Sequence, residues 1–202
     1  MGQADEKIEV ILEAARVLFF SRGYDTTSMD LIAREAAVSK ATVYAHFKSK
    51  EQLLLTLIEG EVSRLPLARH HTPPQTLDDL KQVLTDMAQQ FDRLFQEERT
   101  LALNRLVISQ ALSYPEIAQA FYRAGPVQAT REVSEVLERA AEAGLLTLCN
   151  PSRAAIQFLT LVSCDLPLRA LLSLPRLADD EVKAYIQDGV SAFIATYGCK
   201  PP

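Results

Sequence analysis

Three helix-start signals crowd between residues 27 and 52 of this chain, which leaves room only for short helices joined by tight turns. Thr27 with Asp30 three residues later is a capping-box pattern, and Met29, Ile32, Ala33 and Ala36 supply one buried face behind it. Ser39 is a good N-cap for a second short helix, and Val38 is placed to staple onto Val43, its fourth residue. Ser49 with Gln52 opens a third helix, which Leu53, Leu54, Leu57 and Ile58 carry onward. Ahead of all three, Ile8, Ile11, Leu12, Ala15, Leu18 and Phe19 form one apolar stripe at helical spacing, closed by Arg22 and a left-handed cap at Gly23. A compact four-helix segment is predicted.

The rest of the chain reads as helix as well. Hydrophobic residues make up 48% and charged residues 23%, with only 7 glycines and no tryptophan, a balance that suits a packed helical core. "RLPLARHHTPPQ" reads as a bend after the fourth helix, and Leu77, Leu80, Leu84, Met87, Phe91 and Phe95 mark a long amphipathic helix. Further helices are predicted over about 100–112, from Pro115, over 126–143 with Gly144 as cap, over 151–173 with a kink at Pro167, and over 180–197. The start "MGQADEKIEV" has no apolar signal region, and the longest apolar runs fall far short of the roughly 18 residues of a membrane span. Cys149, Cys164 and Cys199 lack C-x-x-C spacing and read as free thiols in a reducing compartment. The expectation is an all-α, soluble, cytoplasmic protein with no membrane contact.

The formal charge is -5, yet the stretch from Ala36 to Lys50 contains no Asp or Glu and holds Lys40, Lys48 and Lys50. Two short helices with a tight turn, the second carrying cations, fit a helix-turn-helix whose second helix enters the major groove of DNA. Lys40 stands in that helix's first turn, where a cation opposes the helix dipole and an anionic partner compensates. Its ammonium suits guanine O6 or N7, Ala41 permits close approach, and Thr42 offers a hydroxyl or a methyl. Tyr44, His46 and Lys50 are placed to reach phosphates, with Lys50 at the opening of the fourth helix. The competing reading is a solvated lysine face, with Tyr44 in the core; Phe47 is expected in the core on either reading.

The order "ILEAARVLFFSRGYDTTSMDLIAREAAVSKATVYAHFKSKEQLL" resembles the N-terminal DNA-binding domain of TetR-family transcriptional regulators over about residues 8–58. The specific elements are the "GY..TS" lead-in, "IA..A.VS" and "TVY.HF.SKE.LL". Where the family usually has Gly in the turn, this chain has Ala37, which tolerates positive φ less well. The resemblance implies base contacts from Lys40, Ala41 and Thr42, and phosphate contacts from Thr27, Ser28, Tyr44, His46 and Lys50. It implies a helix-turn-helix domain over residues 1–50, a linking helix over about 50–65, and a helical effector-binding and dimerisation domain over 51–202. "RLVISQALSYPEIAQAFYRAGP", "FLTLVSCDLPLRALL" and "FIATYG" are similar to the AefR-like subgroup.

On the same resemblance the partners are a palindromic double-stranded operator, a second copy of the chain and a small-molecule effector. Dimer contacts are expected from Phe158, Leu161, Leu168, Leu172 and Phe193, which alternatively are intramolecular core. Two reading helices about 34–36 Å apart match one turn of duplex. Candidate effector contacts are Phe91, Phe95, Arg105, Ile108, Phe121, Tyr122, Phe158 and Cys164. Arg105 either binds an anionic ligand group or pairs with an acid such as Glu97 or Glu98. The chain contains no G-x-S-x-G, P-loop, G-x-G-x-x-G or H-E-x-x-H pattern. His70 and His71 are adjacent and lack further ligands nearby, so no metal site is expected, nor a cofactor or an enzymatic activity. The rival readings are a DNA-binding regulator without a small-molecule ligand, an activator rather than a repressor, and, more distantly, a helical enzyme.

Overall fold

The computed structural model describes residues 3–63 and 73–199. His70, His71 and most of the proline-bearing bend lie outside the described residues. Among the described residues eleven helices run in order: α1 Gln3–Arg22, α2 Met29–Glu35, α3 Lys40–His46, α4 Lys50–Ser63, α5 Leu77–Leu94, α6 Glu98–Gln110, α7 Pro115–Ala124, α8 Pro126–Glu142, α9 Pro151–Ser163, α10 Leu166–Leu171 and α11 Asp179–Tyr197. The only strand-like pairing among the described residues is an isolated bridge between Leu146 and Gly198.

The chain divides into two compact units: Met1–Leu65 with Ala102–Gly125, and Pro66–Leu101 with Pro126–Pro202. This departs from a single division at residue 50. The reason is burial. Leu53, Leu54, Leu57 and Ile58 of α4 share one core with Ile11, Leu18 and Phe19 of α1, Ile32 of α2 and Val43 of α3. Leu103, Leu106, Val107 and Ile117 from α6 and α7 complete that core. Each fully buried side chain of this size is worth about 1.5–3 kcal/mol, more than any single cap supplies, so burial decides which helices belong together. Phe47 is buried as expected.

Caps set the finer register. Ser39 accepts from the Thr42 backbone N–H at 3.0 Å, as the sequence implies. Ser49 accepts from the Gln52 N–H at 3.2 Å, while Gln52 Oε1 reaches past it to the Lys48 N–H at 2.9 Å. The cap of α2, however, is Ser28 and not Thr27: Ser28 accepts from the Leu31 N–H at 3.2 Å. Thr27 is buried instead, and its hydroxyl donates to the Gly23 carbonyl at 2.8 Å.

In the second unit, Leu80 and Leu84 of α5, Leu137 of α8, Phe158 of α9, and Ile186 and Phe193 of α11 form the centre of the core. The Phe158 and Phe193 rings meet edge-on at 5.4 Å between centroids. Helices α9 and α11 approach so closely that a Cβ on Gly189 would stand 2.8 Å from the Leu161 carbonyl oxygen, which restricts that position to glycine. The helix expected over 151–173 is two helices. Cys164, with φ of 47° and ψ of -126°, breaks the chain there in a backbone conformation that favours glycine. Pro167 lies in the first turn of α10, where its missing N–H breaks no helical bond, so it follows the break and does not cause it.

Candidate nucleic-acid interface

Helices α2 and α3 and the turn between them build the face that the sequence assigns to DNA. The turn closes through the Val38 N–H, which donates to the Ala33 carbonyl at 3.0 Å, and Ala37 takes a φ of 53°. That left-handed conformation costs a residue with a Cβ about 1–2 kcal/mol, part of which glycine would give back through its freer unfolded chain. Ala37→Gly is therefore expected to raise the unfolding free energy by up to about 1 kcal/mol, measured by chemical denaturation of the two chains side by side. A loss of stability would show that the alanine methyl makes a contact worth more than the strain.

With Val43 fully buried, α3 turns Lys40, Ala41, Tyr44 and Ala45 outward. The first turn carries no acidic side chain. The Lys40 ammonium is held by Asp30 of α2, with Nζ to Oδ1 at 2.7 Å, and the ring of Tyr44 lies 5.9 Å from it. Hydrogen bonding to Asp30, then its charge, holds the Lys40 pKa above the ordinary lysine value. Thr42 is half-buried with its hydroxyl 2.8 Å from that of Ser39, and His46 is half-buried at the end of the helix.

Two expected phosphate contacts are placed elsewhere. Thr27 is 1% exposed, so its hydroxyl is out of reach of a surface phosphate. Lys50 folds inward: Nζ donates to the Tyr24 carbonyl at 2.8 Å and the Thr27 carbonyl at 3.0 Å, and it sits 4.0 Å from the centre of the Tyr24 ring. It ties the loop between α1 and α2 to the start of α4. Tyr24 is itself buried, packed on Phe19 and edge-on to Tyr114, and burial pushes its hydroxyl pKa far up, so it stays protonated. The exposed lysine at this corner is Lys48, just before the Ser49 cap. It belongs to the same carboxylate-free stretch as Lys40 and Lys50.

The effector residues expected inside one domain are divided. Arg105, Ile108, Phe121 and Tyr122 belong to the first unit; Phe91, Phe95, Phe158 and Cys164 belong to the second. Ile108 and Tyr122 are each 61% exposed, and Phe121 packs against the first core. Arg105 is half-buried and already engaged by a neighbour. Phe158 is wholly buried core, and Cys164 is exposed at the break after α9. Only Phe91 of the eight lines a cleft of about 30 Å³ between α5 and α8, together with Met87, Gln90, Glu132 and Leu159. Nothing in the sequence marks Gln90 or Glu132, because a polar residue on an amphipathic helix reads as part of its solvated face. A larger cleft of about 280 Å³ between α1 and α4 is walled by Glu9, Glu13 and Glu61 with Arg16, a lining too acidic for phosphate.

Of the expected dimer contacts, Phe158 and Phe193 are fully buried within one chain and belong to its own core. Leu161, Leu168 and Leu172 are exposed, at 43%, 59% and 61%, with Ile156 and Leu174 exposed as well. The large apolar positions of one helix face cannot be sorted into own core and outer surface by spacing alone.

A family model described as "Bacterial regulatory proteins, tetR family" matches residues 11–57, and one described as "AefR-like transcriptional repressor, C-terminal domain" matches residues 82–199. The chain belongs to the TetR family. Among curated relatives, the transcriptional activator FasR of Mycolicibacterium smegmatis is 30% identical over 114 residues, 56% of this TetR-family chain and 51% of FasR. The uncharacterized regulator YuxN of Bacillus subtilis is 45% identical over 53 residues, 26% of this chain and 18% of YuxN. The chain thus spans about half or less of the length of these two relatives. A solved structure described as "Flavonoid-responsive Regulator FrrA" is 34% identical, with 98% of this chain and 100% of that one covered and a TM-score of 0.85. SmeT, described as the repressor of the Stenotrophomonas maltophilia multidrug efflux pump SmeDEF, is 26% identical over 96% and 91% of the two chains, with a TM-score of 0.63. This TetR-family chain is a DNA-binding transcriptional regulator. No helix among the described residues is long and apolar enough to cross a membrane.

Proposed function

We propose that this TetR-family regulator binds a palindromic operator as a homodimer, represses transcription from it in the cytoplasm, and is released by a small-molecule effector. The observation that carries the reading is the outer face of α3. In an acidic chain it presents Lys40 and Ala41 with no carboxylate of its own, and Lys48 stands exposed just beyond it. Lys40, Ala41 and Thr42 are the base-facing residues; Ser28, Tyr44, His46 and Lys48 face phosphates. The chain's net charge of -5 disfavours indiscriminate DNA binding, so affinity has to come from this one face. Exposed Leu161, Leu168 and Leu172 support pairing of two copies through the second unit.

Repression is favoured by the match to an AefR-like repressor domain, and activation, the mode of FasR, is the second reading. The printed description of FrrA supports small-molecule control. An effector acts only through a preference for one of two dimer states, and a coupling of about 1–3 kcal/mol changes operator affinity about 5- to 150-fold. Selection of bound duplexes from a random pool, at near-physiological salt, tests the core of the proposal. A two-fold palindrome is the expected product. No enrichment by effector-free protein would overturn it. A reporter gene behind the selected site then separates repression from activation.

A further inference from the structure

The cleft between α5 and α8 is lined by two polar side chains, one of which holds a buried atom without a partner. Gln90 Nε2 is buried without a hydrogen-bond partner, a state native proteins rarely leave uncompensated. Glu132, on the opposite wall, accepts from Gln128 Nε2 at 3.3 Å. Burial pushes its carboxyl above the ordinary range, the Gln128 hydrogen bond opposes that rise in part, and the Glu135 charge adds to it. The remaining walls are apolar, from Met87, Phe91, Val133 and Leu159.

We propose that this cleft seats the effector and that the effector is a neutral aromatic molecule bearing a hydroxyl group, which accepts from Gln90 Nε2 and donates to the Glu132 carboxylate. The proposal rests on the effector-released reading given above. A single hydroxyl serves both protein groups because it carries one donor and two acceptor lone pairs. An ammonium group offers Glu132 donors but leaves Gln90 unpaired. A carboxylate ligand would face Glu132 across poorly solvated space, where like charges are strongly disfavoured. The aromatic ring is matched to Phe91 through offset or edge contact. The cleft's space of about 30 Å³ has room for about one or two waters, so an entering ring needs Met87 and Phe91, both half-buried, to turn aside. The unbranched methionine side chain accommodates that readily.

Calorimetric titration of the full chain with 4-ethylphenol tests the assignment, against 4-ethylanisole, 4-ethylbenzoate and 4-ethylbenzylamine as probes of nearly the same shape. Saturable binding of the phenol at millimolar concentration is expected, with the other three at least about tenfold weaker, the discrimination that a paired hydroxyl provides. Gln90→Leu and Glu132→Leu should each weaken the phenol about tenfold or more. Both variants should keep the helix content and operator affinity of the parent, which separates a lost contact from misfolding. Absence of phenol binding, equal binding of the methyl ether, preference for the amine, or indifference to both substitutions would each overturn the proposal. Operator release is scored separately on the selected duplex. Release by another compound, undiminished in both variants, would overturn the cleft assignment and leave effector control standing. Phenol binding in the cleft with no effect of any compound on operator affinity would instead remove effector control.

Discussion

Lys50→Met is expected to lose about 2–3 kcal/mol of unfolding free energy while leaving the salt dependence of DNA binding unchanged. The ammonium donates to the Tyr24 and Thr27 carbonyls and lies 4.0 Å from the Tyr24 ring centre. Hydrogen bonds from a charged donor are worth more than neutral ones, and a partly desolvated cation over an aromatic face adds to them. Methionine keeps most of the aliphatic stem, so the loss reports on the charged head and not on packing. The alternative role of this lysine, a phosphate clamp, gives the opposite pair of results. It would leave stability nearly intact and reduce the slope of log affinity against log salt by about 0.9. Denaturant unfolding and a salt titration of operator binding, made on the same two proteins, decide between the roles. Lys48→Ala is the matching control, expected to change the slope and not the stability.

Lys50 also shows where sequence reading reaches its limit. Its charge, its place at the start of α4 and the carboxylate-free stretch that precedes it are all visible in the chain. Nothing local shows that its side chain bends back to carbonyls 23 and 26 residues earlier. The elements that were legible are those fixed by neighbours in sequence: the Ser39 cap, the Gly23 and Gly144 turns with φ of 88° and 74°, and Pro115 at the head of α7. Thr27 failed because a buried methyl and a hydroxyl bond to Gly23 outweighed its use as a cap, leaving that role to Ser28. Phe158 and Phe193 failed for a different reason. Their spacing announces a buried face but not whether the covering surface comes from the same chain. The break at Cys164 carried no glycine to announce it, and the nearby proline drew the reading three residues too late.

At the proposed reading face, Lys40→Ala is expected to relax discrimination at one base position per half-site by about 5- to 150-fold, the range of a good bidentate contact, with little change in stability. The measurement is affinity for the selected palindrome and for its single-base variants at fixed salt. Equal losses on every sequence would show that Lys40 touches phosphate only. The structure adds a condition that the sequence did not reveal, because Asp30 holds the ammonium at 2.7 Å. Both partners are largely exposed, so the pair is solvent-screened and readily exchanged for a base edge. Asp30 thereby has two opposed roles: it keeps Lys40 oriented along the face of α3, and it places a negative charge close to that face. Asp30→Asn is expected to strengthen operator binding several-fold through loss of that charge. In the Lys40→Ala background the two roles come apart. A gain that persists there means Asp30 acts by repelling the DNA backbone, whereas a gain that vanishes means it acts by competing with the base for the Lys40 ammonium.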